Sequence, residues 1–246
     1  MKRFGIIGDP VAHSMSPRLF TAAYHGRYPY DLIEGSDFSA SWARFLREYD
    51  GINVTAPFKE AAFRAVDHLS DEARRIGAVN LVVKTPEGTL GYNSDYDGVL
   101  RAIREAIPEP GGNALVIGCG GAGKAAAAAA ADLGYTVLIT NRTPERAEAT
   151  AARLGLTAIP ISCLRDQIRI SNLVLYTIPG PIEGLSAADF SEGIYLLEAN
   201  YRDPVFATGG PFRYIGGRRW LLHQAIAGYH RFTGEVPDAE AIESVI

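Results

Sequence analysis

Gly118-Cys119-Gly120-Gly121-Ala122-Gly123 stands between an apolar run, Asn113–Ile117, and an alanine-rich stretch, Lys124–Leu133. Glycines at this spacing commit the chain to a strand, a tight turn and a helix. The first permits the turn, the second admits a close ligand, and the third lets helix and strand pack closely. The helix N-terminus offers free N–H groups and a dipole that favours anions. Gly118, Gly120, Gly121, Ala122 and Gly123 are therefore candidate contacts for a dinucleotide pyrophosphate, although a ligand-free βα turn would use the same glycines. About twenty residues beyond the first glycine, an NAD site places an acid on the ribose. Here the chain reads Asn141-Arg142-Thr143-Pro144-Glu145-Arg146. An acid would repel a 2′-phosphate, whereas Arg142, Arg146 and the Thr143 hydroxyl would bind one, with Asn141 beside them. The cofactor expected is NADP(H) rather than NAD; a solvated helix start is the plainer alternative.

Strand and helix alternate on both sides of this turn. Phe4–Gly8, Tyr28–Glu34 and Gly51–Thr55 are expected strands, and Ala78–Lys84 with Gly88–Gly91 a hairpin. Ser16–Tyr24 is an expected helix with Ser16 as N-cap and Pro17 at its first position. Ser39–Tyr49 is expected as a helix with Trp42, Phe45 and Leu46 on one face, and Lys59–Leu69 as another. After a helix over Tyr96–Ile107 and the loose segment Ile107–Gly112, strands are expected at Asn113–Ile117, Tyr135–Thr140, Leu173–Thr177 and Tyr195–Glu198. Helices are expected at Lys124–Leu133, Pro144–Leu154 and Trp220–Phe232. This alternation predicts an α/β fold of two lobes. Residues 1–95 with 218–246 would form an α/β substrate-binding domain, and 96–217 a Rossmann-like dinucleotide-binding domain.

With 246 residues and a formal charge of −4, the chain has no basic run to engage nucleic acid. No stretch is long and apolar enough to span a bilayer, and Phe4–Gly8 is too short for a signal peptide. Cys119 and Cys163 are not spaced as a metal pair, nor are the five histidines. A reduced, soluble, cytoplasmic protein without a metal is expected, acting on a small molecule as monomer or homodimer.

Three polar clusters end apolar runs in the first lobe. Ser14 and Ser16 would share one face of an extended segment and present two hydroxyls to a carboxylate. Lys59 follows the turn at Pro57 and opens a helix, where the dipole disfavours a cation, so its place suggests a chemical role. Asp95 is the natural carboxylate to hold it. Thr55, Asn80 and Gln224 add neutral groups suited to hydroxyl recognition. Each has a bland alternative: Ser16 as a cap, Lys59 reaching water, Asp95 as a turn residue.

His13-Ser14-Met15-Ser16-Pro17, Asn53-Val54-Thr55-Ala56-Pro57-Phe58-Lys59, Gly77-Ala78-Val79-Asn80, Asn93-Ser94-Asp95, the Gly118–Gly123 turn, Asn141-Arg142-Thr143 and Gln224 follow one another in the order seen in shikimate dehydrogenases. The chain resembles that family over nearly its whole length. The resemblance implies NADPH-dependent reduction of 3-dehydroshikimate to shikimate, in the pathway to aromatic amino acids. It implies that Ser14 and Ser16, with Tyr201, hold the substrate carboxylate. Thr55, Asn80, Asp95 and Gln224 would contact ring hydroxyls. Lys59, oriented by Asp95, would exchange a proton with the C3 oxygen in a cleft between the lobes, and Gly217 would contact the cofactor.

Several positions depart from the family pattern. Tyr176-Thr177-Ile178-Pro179-Gly180 replaces an Asn-containing loop, Glu198-Ala199-Asn200-Tyr201 replaces Asp-x-x-Tyr, and Lys124 follows the glycine turn. Quinate-active relatives often carry Thr at the second serine, so Ser16 favours shikimate. The rival readings are a quinate/shikimate dehydrogenase with relaxed cofactor use and a non-catalytic regulator that binds the metabolite.

Overall fold

Phe4–Gly8 is buried along its whole length and forms strand β1 of a chain that the computed structural model describes from residue 1 to residue 246. A strand without a polar face needs cover on both sides, and β1 has neighbours on both edges and helices on both faces. The elements that follow are α1 (Ser16–Ala23), β2 (Tyr30–Glu34), α2 (Phe38–Glu48), β3 (Gly51–Val54), α3 (Lys59–Ala65), β4 (His68–Leu69), α4 (Asp71–Ile76), β5 (Leu81–Thr85) and β6 (Gly88–Tyr92). Together they make a six-stranded mixed sheet in the order β2-β1-β3-β5-β6-β4. β1 runs parallel to β2 and β3, while β5 is antiparallel to β3 and β6.

The chain continues with α5 (Ser94–Ala106), β7 (Gly112–Ile117), α6 (Gly121–Asp132), β8 (Tyr135–Thr140), α7 (Pro144–Leu154), β9 (Thr157–Ala158), α8 (Leu164–Ile170), β10 (Leu173–Tyr176), β11 (Tyr195–Glu198), β12 (Arg213–Ile215), α9 (Gly217–Thr233) and α10 (Ala239–Ser244). The second sheet is parallel throughout, in the order β12-β11-β10-β7-β8-β9. Counted from β7, that is the 3-2-1-4-5-6 strand order of a doubly wound dinucleotide-binding fold. The strand order reverses between β7 and β10. The expected α/β class, with one mixed and one Rossmann-like sheet, is what the chain adopts.

Two units emerge from this layout: Met1–Ser94 with Leu222–Ile246, and Asp95–Leu221. In the first, Ile7, Phe45, Ile52, Val54, Phe58 and Ala62 fill the side of the sheet covered by α2 and α3. Phe4, Phe20, Tyr24, Tyr229 and Phe232 make an aromatic cluster with α1 and α9, the Phe4 and Phe232 rings stacking at 5.0 Å. In the second unit Ala125–Ala130 are all buried. Small side chains around the helix let α6 lie close to the sheet, so the alanine run is packed helix and not linker.

Several local expectations need correction. Ser16 is not the N-cap of α1: Met15 holds that position, no side chain caps the helix, and Ser16 is its first residue. Nor do Ser14 and Ser16 meet by strand alternation. Ser14 closes a turn onto the Val11 carbonyl at 2.8 Å and Ser16 already lies in the helix. α3 stops at Ala65, because His68–Leu69 pairs with β6 as the edge strand β4. Leu46 is 44% exposed, so the buried face of α2 is carried by Phe45 with Trp42 half-buried.

Candidate active site

The polar clusters of the first unit collect at one end of its sheet. β1 and β3 both finish there, and register pairs Asn53 with Leu81, so antiparallel β5 begins there with Asn80 just ahead of it. Leu81 pairs in turn with Tyr92, which brings Asn93 and Ser94 to the same end. Backbone bonds lace the segments together. Thr55 N–H donates to Ile7 O at 2.9 Å, Phe58 N–H to Thr55 O at 2.9 Å, and Val79 N–H to Lys59 O at 3.0 Å. The Thr55 methyl lies against the α-carbon of Gly8, where any side chain would overlap it. Lys59 is thereby fixed as the first residue of α3, half-buried, its carbonyl tied to the residue before Asn80.

Asn80 is buried, and its Oδ1 accepts from the Ser94 amide at 2.7 Å. Its amide side chain thus pins the start of α5 one residue before Asp95, which is itself buried. Gln224, half-buried on α9, lies one turn before Gly228 and so on the same helix face. A Cβ at Gly228 would sit 2.8 Å from Leu81 and 3.3 Å from Ser94 Oγ, so that face passes close to the Asn80 segment.

Two side chains absent from the expected set complete this cluster. Tyr30 donates to Asn53 Oδ1 at 2.7 Å, and Asn53 Nδ2 donates to the Asn80 carbonyl at 3.3 Å. The Ser16 side chain lies by the Tyr30 phenol, and its Oγ accepts from Ser14 Oγ at 3.1 Å. Burial pushes the Tyr30 phenol well above its ordinary range, the neighbouring Tyr229 adds to this, and the Ser16 hydroxyl opposes both. Asn53 stood within a recognised motif; Tyr30 had no local signal, since its bond to Asn53 spans 23 residues.

In the second unit the glycine turn and the Asn141 segment adjoin because β7 and β8 pair in register, Ile117 against Thr140. Gly118 N–H donates to Thr140 O at 2.9 Å. Gly118 has φ +110°, a conformation that favours glycine, and a Cβ on Gly123 would overlap the Gly118 carbonyl oxygen. At Gly120, by contrast, a Cβ would meet nothing within 4 Å. The turn is therefore closed behind and open in front of α6. Arg142, Thr143 and Arg146 are exposed beyond β8, and Asn141 Nδ2 donates to Thr143 O at 3.1 Å. Burial pushes the Cys119 thiol up, opposed by its bond to Thr150 and by the charges of Lys124 and Arg146, so those cations lie near the turn. The open turn at the end of β7 thus lies near Lys124 and Arg146, beside the exposed Arg142 at the end of β8.

The loop after β10 stands at the reversal in strand order. Thr177 Oγ1 donates to Ile117 O at 2.8 Å and lies against Gly118 and Gly123. At the end of β11, fully buried Glu198 accepts from Val205 N–H at 2.5 Å, Phe206 N–H at 3.1 Å and the Tyr214 hydroxyl at 3.0 Å. That carboxylate folds the 199–206 loop, which carries half-buried Tyr201. A Cβ on Gly217 would lie 2.6 Å from Ala199 O and 2.7 Å from Glu198 O. Close packing alone thus accounts for glycine at 217. Neither Cys119 nor Cys163 is paired, no group of three or more metal-ligating side chains exists, and no helix is long and apolar enough to cross a membrane.

Comparison with known proteins agrees with this geometry. The profile of the shikimate dehydrogenase substrate binding domain matches residues 6–82, and that of an FAD binding domain matches 113–177. The second match spans the glycine turn, a device common to FAD and nicotinamide dinucleotide folds. The shikimate dehydrogenase (NADP(+)) of Acidiphilium cryptum is 38% identical over 95% of this chain and 91% of its own length. That of one Thermus thermophilus strain is 34% identical over 99% and 97%. The crystal structure of shikimate 5-dehydrogenase from T. thermophilus in complex with NADP(H) and shikimate superposes with a TM-score of 0.88, covering 100% of this chain and 98% of that one at 32% identity. Quinate dehydrogenase from Corynebacterium glutamicum in complex with NAD reaches the same TM-score at 24% identity and shares the fold. With identity of this extent over both units, the chain belongs to the shikimate dehydrogenase family.

Proposed function

We propose that the protein catalyses the reversible, NADPH-dependent reduction of 3-dehydroshikimate to shikimate. The first unit is the substrate-binding domain and the second the NADP-binding domain. The observation that carries this reading is the lacing of Ser14–Ser16, Thr55–Lys59 and Asn80–Ser94 into one cluster at one end of the first sheet.

The second unit fits the cofactor. The open face of Gly120 leaves room for a pyrophosphate against the first turn of α6, where Gly121, Ala122 and Gly123 contribute backbone rather than bulk. Arg142 and Arg146, with Thr143 and Asn141, suit a 2′-phosphate, a group that NAD and FAD lack. Gly217 is kept as a cofactor contact through its backbone. When bound, NADPH supplies the hydride.

The remaining steps belong to the protein. Ser14 and Ser16 hold the substrate carboxylate through neutral hydroxyl donors, with Tyr201 as a third. Thr55, Asn80, Asp95 and Gln224 orient the ring hydroxyls. Lys59 polarises the C3 ketone as an ammonium and gives its proton to the oxygen as that centre is reduced to the alcohol. Asp95 is the carboxylate that orients Lys59. The two free cysteines suit a reducing cytoplasm, and the chemistry needs only a monomer or a homodimer.

Oxidation of NADPH followed at 340 nm with 3-dehydroshikimate tests the reading. Turnover is expected, faster with NADPH than with NADH and faster in reverse on shikimate than on quinate. Tight binding of both ligands without turnover would leave a metabolite-binding regulator in its place.

A further inference from the structure

We infer that Tyr30 is a positioning residue for substrate recognition, its phenol fixing the Asn53–Asn80 pair while its ring, with Tyr229, backs the Ser14–Ser16 turn. The inference rests on the proposed roles of Ser16 and Asn80 in holding the carboxylate and the ring hydroxyls.

The protons in the cluster can be followed one by one. A phenol has one O–H to give, and the Tyr30 proton goes to Asn53 Oδ1 at 2.7 Å. Ser14 donates to Ser16 Oγ at 3.1 Å, and the Ser16 amide donates back to Ser14 Oγ at 3.2 Å. At the other end, Tyr30 decides which way round the Asn53 amide lies. With Oδ1 engaged by the phenol, Nδ2 is left to donate to the Asn80 carbonyl. One phenol therefore selects the amide orientation at Asn53, and Tyr229, packed on the same ring, holds the Ser16 carbonyl. These two groups are far apart in sequence and belong to different segments of the cluster.

The ring itself is clamped. It packs against Phe20 at 4.9 Å and Tyr229 at 6.4 Å between centroids, and the Tyr229 hydroxyl donates to Ser16 O at 3.2 Å. A fixed ring makes the phenol oxygen a reference point, so the groups it touches need not be ordered when substrate arrives. The bond from the phenol to Asn53 involves neither serine proton, so it persists when a carboxylate draws them.

Tyr30→Phe tests the idea, since it keeps the ring and removes only the hydroxyl. The KM for shikimate is expected to rise about three- to tenfold, with kcat within about twofold and the KM for NADP unchanged, as the loss of one organising hydrogen bond implies. In an Asn53→Ala background the same change should raise KM by a smaller factor, because the group the phenol holds is gone. An unchanged or lowered KM, fully additive effects, or a lower thermal midpoint with unchanged KM would overturn the inference. The two claims fail separately. If Ser16→Ala raises KM and Tyr30→Phe does not, only the role of Tyr30 falls. If Ser16→Ala leaves KM untouched, the carboxylate reading of Ser16 falls and takes this inference with it.

Discussion

The carbonyl of Lys59 accepts the amide of Val79 at 3.0 Å, tying the first residue of α3 to the residue before Asn80. Lys59 is thus fixed by its backbone whatever its side chain does. Lys59→Ala should leave the fold intact while lowering turnover by about a hundredfold or more, the usual size of an acid–base contribution. Steady-state rates together with shikimate binding by calorimetry check this. Near-native turnover would remove the lysine from the mechanism.

Arg142 is exposed just beyond the end of β8. Arg142→Ala should raise the KM for NADPH roughly tenfold or more, the scale of one charge-assisted hydrogen bond, and barely change that for NADH. Equal losses for both cofactors would contradict a 2′-phosphate contact.

Gly123 faces the Gly118 carbonyl so closely that a methyl group cannot enter without moving the turn. Gly123→Ala should cost about 1–3 kcal/mol as overpacking and weaken NADPH binding in parallel. Thermal unfolding and a nucleotide fluorescence titration read the two effects. Wild-type values in both would show that the turn yields easily.

Glu198 accepts three donors in a buried site, so Glu198→Gln turns an amide NH₂ towards a group that can only donate. Faster hydrogen exchange at the Val205 and Phe206 amides is expected, with slower turnover if Tyr201 depends on the loop. Unaltered exchange would mean that the loop holds itself.

Burial and the nearby Glu198 push the Tyr176 hydroxyl up to about 12 from an ordinary value of 10.0. The unfolded chain then loses that proton first, so the folded state binds more protons and stability falls as pH rises. The contribution is intact below pH 10 and is lost between about 10 and 12. The difference in stability between wild type and Tyr176→Phe, followed by denaturant titration across that range, should shrink in that window. A constant difference would refute the assignment.

How much of this was legible beforehand follows from the range of the forces involved. β8, α7 and β11 match their expected bounds because apolar runs and a Pro at a helix start are local signals. Around α4 such signals were also present, Ser70 capping the Ala73 amide and Gly77 ending the helix at φ +75°. No element was expected over 70–77, because a six-residue helix has too few turns to show a clear apolar period. The edge strands β4 and β12 are only two and three residues long and exist through pairing alone, which no local pattern encodes. In the site, the serine, lysine and asparagine motifs could be read by type and spacing. Tyr30 could not, since its role depends on a strand pairing that brings β2 within two strands of Asn53.

The first unit is discontinuous: Phe232, from near the C-terminus, stacks on Phe4 and lies within 3.0 Å of where a side chain at Gly51 would begin. A ribosome delivers the chain in order, so the N-terminal sheet emerges with one aromatic face uncovered. It stays in that condition while the whole second unit is synthesised. Closure of the first unit thus awaits α9, which the chain reaches only after the second unit.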